Sequence, residues 1–479
     1  MWDKRLTIYP KGLFGSVLLI MASSVLSACQ MAPEDKSLSD VSTLLTGQTN
    51  THFELAHDDE IHDISPYLQG PLTAKKAIQL TLLENKQLVS LYHNLGIKQA
   101  DLLQAGLLKN PVLEVSTLFT KEPSSPNIAL ALVASLSDLL QKPLRQDVAR
   151  SQLETEKYRV ASAIIAYAGQ THRAYITHLA SRKAASFAQQ NLKIATASET
   201  LAKGLFEAGN ISQTDYDKAK ARVNQRRADL LKARAKVRQN RALLNEAMGL
   251  DEKDKGRWQM PGGMAKLPGS IGPTKIIKRR ALQNSLTIAI ARQELISFGL
   301  QKQLQRRQNL IPDLDLGIEY ERDDGEEQVG PVGELTIPIF DHGQAKRLKA
   351  YHQLRQKEIA LTGLMRAVPN RAELLAQKFK DQSKLRSHYR LKVLPDAKRL
   401  QQGALKNYNA MQQGAFDLLT AKEQKLAREQ DYFALQVESW LTLTELTQLL
   451  QGHFNQEGAA TMTNVNITQS DTPLNTGGH

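Results

Sequence analysis

Two periodicities alternate along this chain, one of seven residues and one of two. The sevenfold pattern links Leu153, Val160, Tyr167, Ala174, Ser181, Ala188, Ala195 and Ala202. It resumes after a turn at Tyr216, Val223, Leu230, Val237 and Leu244, and again at Leu419, Leu426, Phe433 and Trp440. A sustained seven-residue repeat predicts long helices that supercoil against their neighbours. The many Ala and Ser seam positions suit closely spaced helices. The pattern predicts long helices over about 144–207 and 344–409, each followed by a return helix. Pro369 and Pro395 are expected to kink or break the second of them.

The twofold pattern is clearest from Asp313 to Glu321, where Leu314, Leu316, Ile318 and Tyr320 alternate with Asp313, Asp315, Gly317 and Glu319. Leu335, Ile337 and Ile339 alternate again beyond a stretch rich in Gly, Asp and Glu (Asp323 to Pro331), which reads as a turn. Earlier in the chain Leu113 and Val115 start the same pattern, and Ile128, Leu130 and Leu132 continue it after Pro123 and Pro126. Each segment is about nine to eleven residues long, the length of a membrane β-strand with one apolar face. An ordinary soluble hairpin fits each one equally well.

The elements recur in the same order with a nearly constant offset. Pro111 parallels Pro312 at 201 residues, while Phe206, Asp215 and Ala219 parallel Tyr408, Asp417 and Ala421 at 202. Asp138 parallels Asp341 at 203. The expected organisation is two tandem repeats, 73–250 and 275–452, joined by a connector over 251–274 that is rich in Pro and Gly. Each repeat opens with a helix (73–109, then 275–311) and continues through two strands (about 111–137, then 312–341), the long helix and the return helix. A helix of about 64 residues is about 96 Å long, and two of about 37 laid end to end reach about 110 Å. One long helix can therefore lie beside two short ones in line. The fold class is mainly α with a small membrane β part.

Composition sharpens this picture at three points. Of 479 residues 41% are hydrophobic, mean hydropathy is −0.38, and no proline occurs from Leu144 to Met260. No apolar run of about 18 residues is present, so no transmembrane helix is expected. The single cysteine excludes a disulfide scaffold and Cys-based metal sites. That cysteine ends the string Leu26-Ser27-Ala28-Cys29, behind the basic Lys4, Arg5 and Lys11 and a short apolar run from Leu13 to Ala22. This is a signal-peptide pattern over 1–28. Its last four residues resemble the bacterial lipobox, which implies cleavage before Cys29 and its lipidation. A free cysteine in a plain signal peptide is the alternative. Gln30 at the second mature position favours outer-membrane sorting in the lipoproteins this resembles. Residues 29–72 read as a lipidated extended linker, and 453–479 as a disordered tail.

The net charge of +13 falls to +11 once residues 1–28, which carry +2, are removed. An exported chain meets no nucleic acid, so the basic residues read as solvated helix faces or contacts to anionic envelope polymers. No P-loop, nucleophile elbow or HExxH motif is present, and no enzyme activity or cofactor is expected. Four strands do not close a barrel, and open edges inside lipid leave backbone groups without partners. Membrane strands therefore imply pooling among copies.

At this point the chain resembles the TolC-like family of outer-membrane efflux ducts, over about 73–452. The resemblance rests on LLKNPVLEV and LIPDLDLG at the strand entries, IPIFDHGQAKR at 337–347, and LFEAGNISQTDYDKA at 205–219. SLSDLLQKPLR at 135–145 further resembles the heavy-metal and cation branch. The resemblance implies a homotrimer with a 12-strand β-barrel in the outer membrane, continued by a 12-helix periplasmic tunnel. It also implies a periplasmic adaptor and an inner-membrane pump, of the resistance-nodulation-division (RND) type, as partners. The adaptor-docking tips then fall on Gly209, Asn210, Ile211 and Ser212 with Asp215, and on Met411, Gln412, Gln413 and Gly414 with Asp417. The second tip departs from the pattern, with Met411 where Gly is expected and Gly414 in place of Ser. Helix capping alone is the plainer role for these residues.

Lumen-facing strand positions would be Glu114, Asp313, Asp315, Glu319, Glu321 and Glu334. A ring of carboxylates favours cations, and simple wetting of a polar lumen explains it as well. His52, His57, Asp58, Asp59, Glu60, His62 and Asp63 form a His/acid cluster that reads as a solvated linker, with loose metal binding as the sharper alternative. Two rival functions stand beside the duct: a lipid-anchored coiled-coil spacer without a pore, and an envelope hydrolase on a helical scaffold.

Overall fold

The computed structural model describes residues 37–49, 53–56, 63–118, 127–310, 314–323, 326–337 and 339–455. Helices α1 (Ser37–Thr49) and α2 (Ser65–Leu68) lead into α3 (Ala74–Glu84) and α4 (Lys86–Gly106). Strands β1 (Val112–Leu118) and β2 (Asn127–Ser135) follow, then α5 (Leu136–Glu207) and its return helix α6 (Gln213–Met248). The second half repeats the order: α7 (Thr274–Asn284), α8 (Leu286–Leu310), β3 (Leu314–Asp323) and β4 (Glu326–Leu335). It ends in α9 (Gln344–His388), a π-helical turn (Tyr389–Val393), α10 (Leu394–Asn409) and α11 (Ala415–Leu450).

The 72 residues of α5 make it the spine, about 108 Å long at the standard helical rise. It packs against α3 and α4 at one end and α6 at the other, and against α8 and α11 of the second half. The sevenfold seam explains this. Leu153, Val160, Ser181, Ala195, Ala202, Val223, Leu230, Leu244 and Leu426 are buried, and the remaining seam residues are half-buried. The core is a string of clusters rather than one centre. Leu82, Leu88, Leu95, Val160 and Ile164 form one, and Leu72, Leu80, Leu244, Met248 and Trp258 another. Each fully buried aliphatic side chain contributes about 2 kcal/mol.

The four strands form one antiparallel sheet in the order β1-β2-β3-β4. Its central pair joins the two halves: Ile128 stands opposite Arg322 and Ser135 opposite Asp315. β1 and β4 are the free edges.

Five expectations are corrected. The helices over 73–109 and 275–311 are each broken in two, without proline. Asn85 Oδ1 accepts the Gln87 and Leu88 N–H groups at 3.1 and 3.2 Å, starting α4, while its Nδ2 donates to Ala247 O at 3.1 Å. Ser285 Oγ accepts the Ile288 N–H at 3.2 Å, and Asn284 Nδ2 donates to Leu450 O at 3.1 Å. Each break therefore receives the end of a return helix. Gly249 (φ +70°) and Gly452 (φ +114°) fill those sites, where a Cβ would lie 2.5 Å from Glu84 O and 2.6 Å from Asn284 O.

The expected linker over 29–72 is partly folded. Val41 and Leu45 of α1 lie one helical turn apart and bury against α4 and α5, and Leu68 and Leu72 are buried too. Residues 453–455 of the expected tail are folded: Phe454 sits in the core with Ile277 and Leu449, and its N–H donates to Thr287 Oγ1 at 3.3 Å.

From Glu326 to Pro331 the acidic stretch read as a turn belongs to strand β4. Pairing with β3 runs from Asp323↔Glu326 to Leu314↔Leu335, and Pro331 is tolerated because β4 is an edge. Finally, α9 runs through Pro369, held by the buried Val368 and Ala372 on either side. At Pro395 the α-helix is interrupted as expected, by the π turn just before it, where the Leu394 N–H reaches back to Tyr389 O. The widened turn absorbs the donor that proline lacks.

Candidate functional site

The strand register sorts the expected lumen residues. Cross-strand partners in a sheet share a face. Glu114 pairs with Ala131, Ala131 with Glu319, Glu321 with Gln328, and Asp315 with Glu334. Glu114, Asp315, Glu319, Glu321 and Glu334 therefore lie on one face, interspersed with Ala129, Ala131 and Gly330. Leu113, Val115, Leu132, Leu316, Ile318, Val329 and Leu335 occupy the other face, and all are exposed; Ile318 is 65% exposed. Gly317 lets β2 and β3 approach, since a Cβ there would lie 2.4 Å from Leu132 O.

At the junction of β2 with α5, Asp138 is buried. Arg145 forks onto its carboxylate, and the Lys109 N–H donates to Oδ2 at 3.1 Å. The Arg145 hydrogen bond holds the Asp138 carboxyl below the usual range. The same Arg145 donates to Leu107 O at 3.2 Å, which clamps the end of α4 to the start of α5. The parallel residue Asp341 is exposed and instead accepts the Gly343 N–H at 2.7 Å.

The two helix turns lie at the far end of α5 and α10. At the first, Gly209 takes φ +74°, the Asn210 N–H reaches Leu205 O at 2.7 Å, and the Gly209 N–H reaches Phe206 O at 2.9 Å. This is a Schellman C-cap. Ser212 Oγ then accepts the Asp215 N–H at 3.1 Å and donates to Asp215 Oδ2 at 2.8 Å. Lys218 Nζ lies 3.0 Å from Asp215 Oδ1. These contacts, Ser212 first, lower the Asp215 pKa. Ile211 is half-buried and Asn210 exposed. Phe206 and Tyr216 stack across the turn with centroids 5.5 Å apart.

The second turn keeps the backbone and loses the side chains. The Gln412 N–H reaches Asn407 O at 2.8 Å and the Met411 N–H reaches Tyr408 O at 3.0 Å, with Met411 at φ +55° and 95% exposed. Gly414 starts α11 without a side-chain cap. Gln413 and Asp417 are exposed beside it. One tie between the two turns had no sequence signal: Glu423 of α11 sits 2.7 Å from Arg226 and 3.7 Å from Arg222 of α6. Charges so common on helix faces announce a partner only once the helices are placed.

Cys29, Asp313 and the cluster residues His52, His57, Asp58, Asp59, Glu60 and His62 lie outside the described residues. Asp63 accepts the Ser65 N–H at 3.0 Å and starts α2. Among the described residues no group of three or more His, Cys, Asp or Glu is placed to hold a metal, and no helix is long and apolar enough to cross a membrane.

Comparison with known proteins agrees with this geometry. Residues 78–250 match the family model of the outer membrane efflux protein. No curated protein sequence matches the chain. Among solved structures, a membrane protein from Pseudomonas aeruginosa is similar with a TM-score of 0.67 at 17% identity, covering 80% of this chain and 90% of that one. The CmeC outer membrane channel of Campylobacter jejuni has a TM-score of 0.67 at 14% identity, covering 86% and 92%. The MtrE outer membrane channel of Neisseria gonorrhoeae, in its open state, has a TM-score of 0.63 at 17% identity, covering 79% and 89%. Proteins of this family are non-enzymatic transport ducts. The first half of the chain thus matches the sequence pattern of the outer membrane efflux protein over residues 78–250, and its helices and strands follow the fold of the TolC-like outer membrane channels.

Proposed function

We propose that the chain is the outer-membrane duct of a tripartite efflux system, a passive homotrimer that carries drugs or metal cations outward. The sheet is the observation that carries this reading. Its four strands end in two free edges, and one exposed face is dominated by Leu, Ile and Val. Such a surface is unfavourable in water and such edges are forbidden in lipid, so both are relieved only if copies join edge to edge with the apolar face outward. Three copies pool twelve strands, in line with the trimers of this family. The carboxylate face then lines the lumen, and Cys29 carries the lipid anchor in the outer membrane. The turns at Gly209–Asp215 and Met411–Asp417 meet the periplasmic adaptor, and energy comes from an inner-membrane pump, in this reading of the RND type.

The rival reading, a lipid-anchored coiled-coil spacer, gives the apolar strand face no purpose. Sedimentation of the purified protein separates the two. The duct requires a detergent-dependent trimer with four strands per chain. A monodisperse Cys29→Ser monomer that stays soluble without detergent refutes it.

A further inference from the structure

A cavity of about 740 Å³ opens between α5, α9, the π turn, α11 and the connector. Its wall carries five cationic side chains: Arg182, Lys183, Lys266, Arg386 and Arg390, the last within the π turn. Among the described residues that line it there is no carboxylate. Arg386 is the informative one. It is 9% exposed, its guanidinium packs over the Phe379 ring at 5.1 Å, and its Nη1 is buried with no hydrogen-bond partner. One helical turn earlier Gln382 is 7% exposed, with both amide atoms buried and unpartnered.

A buried charge without a counterion is among the costliest features a fold can retain, and buried donors are otherwise almost always paired. The surroundings deepen the cost, since four further cations raise the local positive potential. The connector does not supply the missing partner. Residues 261–269 wall the cavity and are pinned by Trp440 Nε1 donating to Ala265 O at 3.2 Å and Ser383 Oγ donating to Gly269 O at 3.3 Å. The remaining wall mixes apolar Leu179, Met264, Phe433 and Trp440 with polar Ser186, Ser387, Tyr432 and Gln436. The volume falls in the range of small-molecule sites, about 300–1,000 Å³. The π turn places Arg390 on the wall, and such turns recur at functional positions.

We propose that this cavity binds an organic oxyanion, a carboxylate or phosphate on a partly apolar body, with Arg386 as its buried counterion. At the buried Arg386 end an anion is partly desolvated, and charge-assisted bonds to guanidinium groups are stronger there than in open water. The bound molecule bridges the connector to α5, α9 and α11, and so stiffens the middle of the helical assembly.

The test uses the full-length protein in nonionic detergent, titrated calorimetrically with inorganic phosphate and, separately, with citrate, against chloride of equal ionic strength. Saturable binding of phosphate, citrate or both is expected, and the preferred probe tells a phosphoryl ligand from a carboxylate. Arg386→Gln should weaken it at least tenfold. Lys266→Gln, on the exposed connector, should weaken it several-fold without any effect on folding, and Arg227→Gln on α6 should leave it unchanged. Absence of saturable binding for both probes overturns the proposal. So does binding that Arg386→Gln and Lys266→Gln leave intact.

Discussion

Gly209 and Met411 hold the same left-handed backbone position, φ +74° and +55°, at the two helix turns. Met411 is the sole non-glycine residue with positive φ among the described residues. For an L-residue with a Cβ this conformation costs about 1–2 kcal/mol, whereas glycine adopts it freely. The side chain gains nothing in return, being 95% exposed. Met411→Gly should therefore raise stability by about 1 kcal/mol after glycine's own entropy cost. Thermal unfolding in detergent checks this; an unchanged or lower midpoint would show that Met411 makes a stabilising contact in the assembled state.

The first turn makes a different prediction. Asp215 is held by Ser212 and Lys218 at the positive start of α6. Reversing its charge removes a solvent-screened contact with the helix dipole at an exposed turn, which leaves the buried core untouched. Asp215→Lys should lower efflux, read as lost resistance, while the amount of trimer stays constant. Unchanged resistance would reduce these residues to helix caps.

Much of the fold was legible because its periods are long and consistent. The seam from Leu153 to Ala202 foretold α5, and the alternation from Leu314 to Glu321 foretold β3. What was hidden depended on partners distant in sequence. Asn85 and Ser285 break helices because the ends of α6 and α11 arrive beside them, and no local pattern encodes that arrival. The strand β4 was misread because Glu326 to Pro331 has poor strand propensity and is held by pairing with β3. Asp315 and Glu334 were each placed on the polar face by alternation, but that they stand directly opposite one another required the register. Arg386 looked like one more surface charge until the connector folded over it.

Gly317 sits where the two halves of the sheet meet. Its missing Cβ leaves room for Leu132 O, which would otherwise lie 2.4 Å away, and backbone does not yield as a side chain tip does. Gly317→Val should separate β2 from β3 and destabilise by about 2–3 kcal/mol or more. The loss should appear as monomer or aggregate in place of trimer, with helix content by circular dichroism nearly unchanged. Gly330 is the control, since nothing lies near its Cβ position; Gly330→Ala should assemble normally.

His178 is buried against Trp258, with ring centroids 5.7 Å apart, and its Nδ1 has no partner. Burial, aided by Arg182 and Arg241, pushes its pKa down from 6.5 to about 4. The unfolded chain therefore binds a proton between these values that the folded chain refuses. Stability is full above about pH 6.5, is lost as pH falls toward about 4, and loses nothing more from this group below that. The loss is on the order of 2 kcal/mol after allowance for relaxation around the ring. Burial likewise lowers His172 and His453, so some acid sensitivity will persist without His178. His178→Gln should therefore be less stable than the parent near neutrality but lose fewer degrees of melting temperature on acidification. Parallel losses in the two proteins would mean that His178 takes up its proton without opening the packing around Trp258.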